Sequence, residues 1–137
     1  MKRIKNYKTL ILYLGAIGIV LLIFVFLFGV NLIGYSVKNR CQMAQEKYSG
    51  DCVEALNSYL DDEGNSYYRR NQAVWALGQL GDERSREILE KYYIGYEGER
   101  SDRSHGLAQL ELKRAIGYLD GNWNITTFFW RFNKDLD

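Results

Sequence analysis

Proline is absent from all 137 residues, so no position is barred from helix by a fixed φ or a missing N–H. Breaks must come from glycine and aspartate clusters instead. There is one histidine, His105, and there are two cysteines, Cys41 and Cys52. That is too sparse for a zinc site, which pairs its Cys and His ligands at short spacing. His105 has no serine or cysteine at a spacing that would argue a triad, and it reads as an exposed or capping residue. No HExxH, Walker loop or dinucleotide fingerprint occurs. The sequence therefore offers no catalytic residue, metal site or cofactor site, and the chain is read as a non-enzyme.

Charge is missing in two further ways. Residues 9 to 37 contain no charged side chain, while the eight residues before them hold Lys2, Arg3, Lys5 and Lys8. Setting those four aside leaves 14 Lys and Arg against 17 Asp and Glu, so the remainder is mildly acidic. It lacks the basic face that nucleic-acid binding requires.

A charge-free run of this length is a membrane signal. At about 1.5 Å per residue, a hydrocarbon core of about 30 Å needs about 20 apolar residues, and Leu10 to Val30 supplies them. The run is longer than the 7–15 residues of a secretory signal, although small residues Gly34 and Ser36 leave cleavage after Ser36 as an alternative. Tyr7 and Tyr35 flank the run about 42 Å apart along a helix, spaced to place both rings near headgroups. The division expected is a basic tail at 1–8, a transmembrane helix at 9–35 and a helical domain at 38–134. Four basic residues before the span, against Lys38, Arg40 and Lys47 after it, favour a cytoplasmic N-terminus and a domain outside the cytoplasm.

Beyond the span, apolar residues recur at helical spacing and nowhere alternate long enough to argue strand. Val53, Leu56, Tyr59 and Leu60 make one face, opened by Asp51 with Glu54 in capping-box position. Ala73, Ala76, Leu77 and Leu80 follow between Ser66 and Gly81. Ile88, Leu89, Tyr92 and Tyr93 follow Asp82 and end at Gly95; Ala108, Leu112, Ala115, Ile116 and Leu119 make the last face. The fold class is thus all-α.

Two echoes organise these helices. Gly50-Asp51 recurs as Gly81-Asp82, 31 residues on, and Ala76-Leu77-Gly78-Gln79-Leu80 recurs as Ala115-Ile116-Gly117-Tyr118-Leu119, 39 residues on. The excess falls in the polar stretch 95–103, read as a loop inserted between repeats of about 31 residues. Periods of this size mark stacked helical hairpins, here about 38–62, 66–95 and 104–134.

Asn71 to Tyr93, with its Ala-Leu-Gly-x-Leu-Gly-Asp core at Ala76 to Asp82, resembles a HEAT repeat of the phycobiliprotein-lyase-like type. The resemblance implies a short α-solenoid of about three hairpins whose usual role is to present a binding surface. Ala76 and Gly78 would then permit close helix approach, and Leu77 and Leu80 would fill the core.

If residues 39–49 form one helix and Cys52 opens an antiparallel one, the two cysteine Cα atoms stand about 12 Å apart along its axis, beyond the roughly 7 Å a disulfide spans. Two small buried residues are expected, with a bridge as the alternative. Asp61-Asp62-Glu63-Gly64-Asn65 lacks EF-hand spacing and reads as a solvated turn, its charges balanced by Arg69 and Arg70.

The remaining surface candidates are aromatic and basic. Tyr67, Tyr68, Arg69, Arg70, Trp75 and the 95–103 loop are candidate partner contacts. Trp123, Phe128, Phe129 and Trp130 crowd the C-terminal end together with Phe132. They read either as a short helix covering the open end of the stack or as a partner- or membrane-facing segment. The expectation is a single-pass, HEAT-like scaffold with the bilayer and a protein as partners, and neither nucleic acid nor a small-molecule substrate. The alternatives are a lyase-like accessory subunit of a modifying enzyme and a structural subunit of a membrane complex.

Overall fold

The computed structural model describes residues 2–96 and 106–131, with side chains from residue 6 onward. His105, Phe132 and most of the 95–103 loop lie outside the described residues. Every regular element among those described is helical: α1 (Lys2–Gln45), α2 (Cys52–Asp61), α3 (Tyr67–Leu80), α4 (Arg86–Tyr92), α5 (Gln109–Leu119) and α6 (Ile125–Arg131). A 3-10 turn, Glu83–Ser85, leads into α4.

α1 is a single helix of 44 residues. No linker separates the apolar run from the first helix of the domain, because nothing from Asn31 to Gln45 breaks helix. Its most apolar 18 residues have a mean hydropathy of 3.0, and none of that window is buried. By length and composition it can cross a membrane. Further along, Val30, Val37, Cys41 and Ala44 are buried, a spacing that lines one helical face. One rod therefore carries two surfaces, a bare apolar stretch and a stripe inside the core.

The domain folds around that stripe. Asp51 caps α2, its side chain accepting from the Glu54 N–H at 3.0 Å while the Glu54 carboxylate accepts from the Asp51 N–H at 3.2 Å. Ser66 caps α3, and Gly81 ends it in the left-handed region at φ 57°. Leu56 and Leu60 of α2, Leu77 of α3, Leu89 of α4 and Leu112 of α5 are fully buried, each contributing about 1.5–3 kcal/mol of transfer free energy. α3 packs principally on α2 and α5. At the α3–α5 crossing, a Cβ on Gly78 would lie 2.9 Å from the Ala115 Cα, so the backbones meet where only glycine fits.

Arg84 joins the two Gly-Asp echoes. Its guanidinium donates to the Asp51 carboxylate at 2.6 Å and to Asp82 at 2.9 and 3.1 Å, linking the cap of α2 to the cap of the 3-10 turn.

Two expectations are corrected. Cys41 and Cys52 form a disulfide with Cα atoms 4.9 Å apart. α1 stops at Gln45 and the chain turns back through Gly50, at φ 117°, which returns Cys52 to the level of Cys41. And α6 does not act as a lid over the open end of the stack: it packs chiefly on α1, with a smaller contact to α3.

Candidate interaction surface

Contacts along α3 set its direction against α1. The Arg40 guanidinium donates to the Gln72 side chain at 2.5 Å, and Arg69 shares a small cleft with Arg40 and Met43. At the other end, Arg131 of α6 donates to the Gln79 carbonyl through Nε at 2.9 Å and Nη2 at 2.6 Å. The next residue back, Trp130, packs on Gly34 of α1. α3 thus runs antiparallel to α1, with Gln79 toward the apolar stretch and Tyr67 and Tyr68 at the far end.

That far end is an exposed aromatic and basic patch. Tyr68 is 73% exposed, Tyr67 is about half exposed, and Arg69 is exposed beside them. The Arg69 guanidinium donates to the Tyr59 hydroxyl at 3.4 Å, which holds its pKa above the ordinary arginine value. Arg70 belongs inside: it is 4% exposed, donates to the Leu60 carbonyl at 2.8 Å and lies over the Tyr92 ring at 5.0 Å. Its position on α3 turns it onto α2 and α4, so it holds the helices together and is not available to a partner.

The acidic turn is neutralised by other residues than expected. Asp62 accepts from Lys47 at 2.9 Å, from the Gly64 N–H at 2.8 Å and from the Tyr48 hydroxyl. The Tyr48 hydrogen bond, then that of Lys47, holds its carboxyl well below the usual range. Asp61 accepts from Lys91 at 2.5 Å and Tyr92 at 2.8 Å and is lowered by the same cause, Lys91 first. Lysines distant in sequence take the larger part expected of Arg69 and Arg70, with Arg70 adding a smaller attraction on Asp61, and no residue spacing announces that. Among the described residues no group of three His, Cys, Asp or Glu could hold a metal ion.

Trp75 is half-buried, with the Arg40 guanidinium 5.6 Å from its ring. It edges a cleft of about 120 Å³ shared with Gln79, Glu111, Arg114 and Tyr118. Tyr118 also lines a second, larger cleft of about 420 Å³, walled by Trp123, Asn124, Thr127, Phe128 and Arg131. The two clefts therefore adjoin. Sequence reading missed Tyr118 and Arg131, although the Tyr118 position in the repeated Ala-x-Gly-x-Leu core was a usable signal.

At the C-terminal end, Trp123 is 83% exposed, and Phe128 and Phe129 are 53% and 43% exposed. Trp130 is 5% exposed, pressed into the notch that Gly34 leaves on α1, and is unavailable as a surface contact. Phe129 meets Phe26 of α1 edge to face, ring centroids 5.3 Å apart, and Phe128 at 5.5 Å. The aromatic end of the chain is thus carried back to the apolar stretch.

The family model for the PBS lyase HEAT-like repeat matches residues 70–93, most of α3 together with the 3-10 turn and α4. Over these residues the chain is HEAT-like. No curated protein and no solved structure matches it. The packing of Ala76, Leu77 and Leu80 in the core and of Gly78 against Ala115 is what that resemblance implies for them.

Proposed function

We propose that this chain is a single-pass membrane protein whose span presents a short α-solenoid of HEAT-like hairpins, acting as a non-catalytic protein-interaction or scaffold module. The observation that carries it is the two-surface character of α1: the same helix is bare and apolar over Leu10 to Val25, meets α6 at Phe26, and enters the HEAT-like core from Val30 onward. The domain stands directly on its anchor.

The partner surface is the end of α3 away from the span, Tyr67, Tyr68 and Arg69, continuing to Trp75 and its cleft. Aromatic rings beside an arginine supply large contact area and directional hydrogen bonds at small entropic cost. The domain lies outside the cytoplasm, a placement supported by the basic tail and by a disulfide of the kind that persists in oxidising compartments.

Capture of a protein partner by the full chain from its native membranes in mild detergent tests the surface. Alanine at Tyr67, Tyr68, Arg69 or Trp75 should weaken capture by about tenfold at one position or more, the loss expected of a hot spot. Unchanged capture by all four variants overturns the placement. A copurifying chromophore or modified substrate would instead favour a lyase-like accessory subunit. Loss of assembly on exchanging residues 9–33 for an unrelated span, with the domain intact, would favour a structural subunit held through its anchor.

A further inference from the structure

We propose that α6 and the turn before it form a lipid-binding element, an aromatic wedge that enters the bilayer interface beside the span and sets the angle at which the domain stands. The proposal rests on the reading of α1 as a membrane anchor. Given that anchor, depth follows from contact. Phe26 lies one helical turn inside Val30, about 6 Å below the end of the run that fills the hydrocarbon. Phe129 touches Phe26 with its ring, and Trp130 rests on Gly34, two turns further out. α6 therefore lies against the stretch of α1 where hydrocarbon gives way to headgroups.

Composition fits that level. Residues 121–131 contain no Asp or Glu and one cation, Arg131. Their exposed side chains are Trp123, Ile125, Phe128 and Phe129, with Asn122 among them. Aromatic rings with neutral polar neighbours are what the headgroup boundary favours. In water this patch would be an exposed apolar liability; against lipid it adds contact area to the anchor at no extra ordering of the chain. Two ties hold the wedge in register with the domain: Arg131 on the Gln79 carbonyl, and Asp120 just before it paired with Arg86 at 2.9 Å. A soluble partner docking on the same rings would have to displace lipid next to Phe26, so the bilayer is the occupant the geometry selects.

Depth-dependent quenching tests this in the full chain. Phe128→Cys, an exposed position that keeps the Phe26–Phe129 contact, is labelled with an environment-sensitive fluorophore and reconstituted in phosphatidylcholine nanodiscs containing lipids spin-labelled either near the headgroup or deep in the acyl chain. Leu21→Cys reports the anchor and Glu63→Cys, exposed in the turn after α2 beside the Lys47–Asp62 pair and away from the span, reports solvent. The 128 label should be blue-shifted and quenched at least twofold by the headgroup-labelled lipid, and the 21 label by the deep-labelled lipid, while the 63 label is unaffected by either. Quenching at 21 without quenching at 128 overturns the wedge and leaves the anchor standing. Quenching at neither overturns the anchor and the wedge together. Far-ultraviolet circular dichroism matching wild type qualifies each variant, and Trp123→Cys, 83% exposed, serves if Phe128→Cys does not fold.

Discussion

At the scale of single residues, the two glycines of the repeated Ala-x-Gly-x-Leu core serve different ends. A Cβ on Gly78 meets the Ala115 backbone at 2.9 Å, whereas one on Gly117 meets only the tip of the Asn122 side chain at 2.5 Å. Glycine to alanine inside a helix gains about 1 kcal/mol of propensity, but forcing two packed helices apart costs about 1–3 kcal/mol. Gly78→Ala should therefore lower the melting temperature, and Gly117→Ala should leave it unchanged or raise it, as thermal unfolding followed by circular dichroism would show. Asp62 permits a second prediction. Its folded carboxyl lies below the ordinary value because Tyr48, Lys47 and the Gly64 N–H bind the charged form. The stability it contributes is present above the unfolded pKa of about 3.9 and is lost as pH falls toward the folded one. Asp51 and Asp61 shift in the same direction. Melting temperature should hold steady above about pH 5 and fall below about pH 4, with a shallower fall in Asp62→Asn; an identical acid limb in that variant would rule out its part.

At the scale of elements, the caps of α2 and α3 and the apolar faces of α2, α3 and α5 were legible in the sequence because local chemistry decides them. Asp51 with Glu54, Ser66, Gly81 and the period of the leucines each act within one or two turns. What was not legible depends on where the chain goes after a turn. The cysteine pair was misjudged by treating Cys41 and Cys52 as points along one axis, when the return through Gly50 brings them level. The path of α6 was hidden for the same reason, since nothing local distinguishes a helix that covers the open end of a stack from one that crosses to α1. The disulfide should matter energetically: a loop with a sequence separation of 11 reduces unfolded-chain entropy by an amount worth about 2–4 kcal/mol. Reduction, or serine at both positions, should lower the denaturant midpoint without changing the secondary structure seen by circular dichroism in the native baseline.

At the scale of the whole molecule, the acidic domain and the basic tail lie at opposite ends of one unbroken apolar helix, and that polarity makes orientation a physical question. Basic residues stay on the cytoplasmic side because translocating them against the inside-negative potential and anionic headgroups is costly. The bias here is four cations against three near the span, too narrow to act alone, and the disulfide supplies an independent argument of the same sign. If α1 spans the membrane as proposed, the domain stands close to the bilayer: Cys41 is eleven residues beyond Val30, about 16 Å along α1. A membrane-impermeant thiol reagent applied to intact cells after reduction and mild unfolding should label Cys41 and Cys52, and it should label neither without reduction. Labelling only after the membrane is permeabilised would place the domain in the cytoplasm. A reducing compartment would then oppose the bridge, and Cys41 would be a buried thiol packed between Val37 and Ala44, reachable only by unfolding.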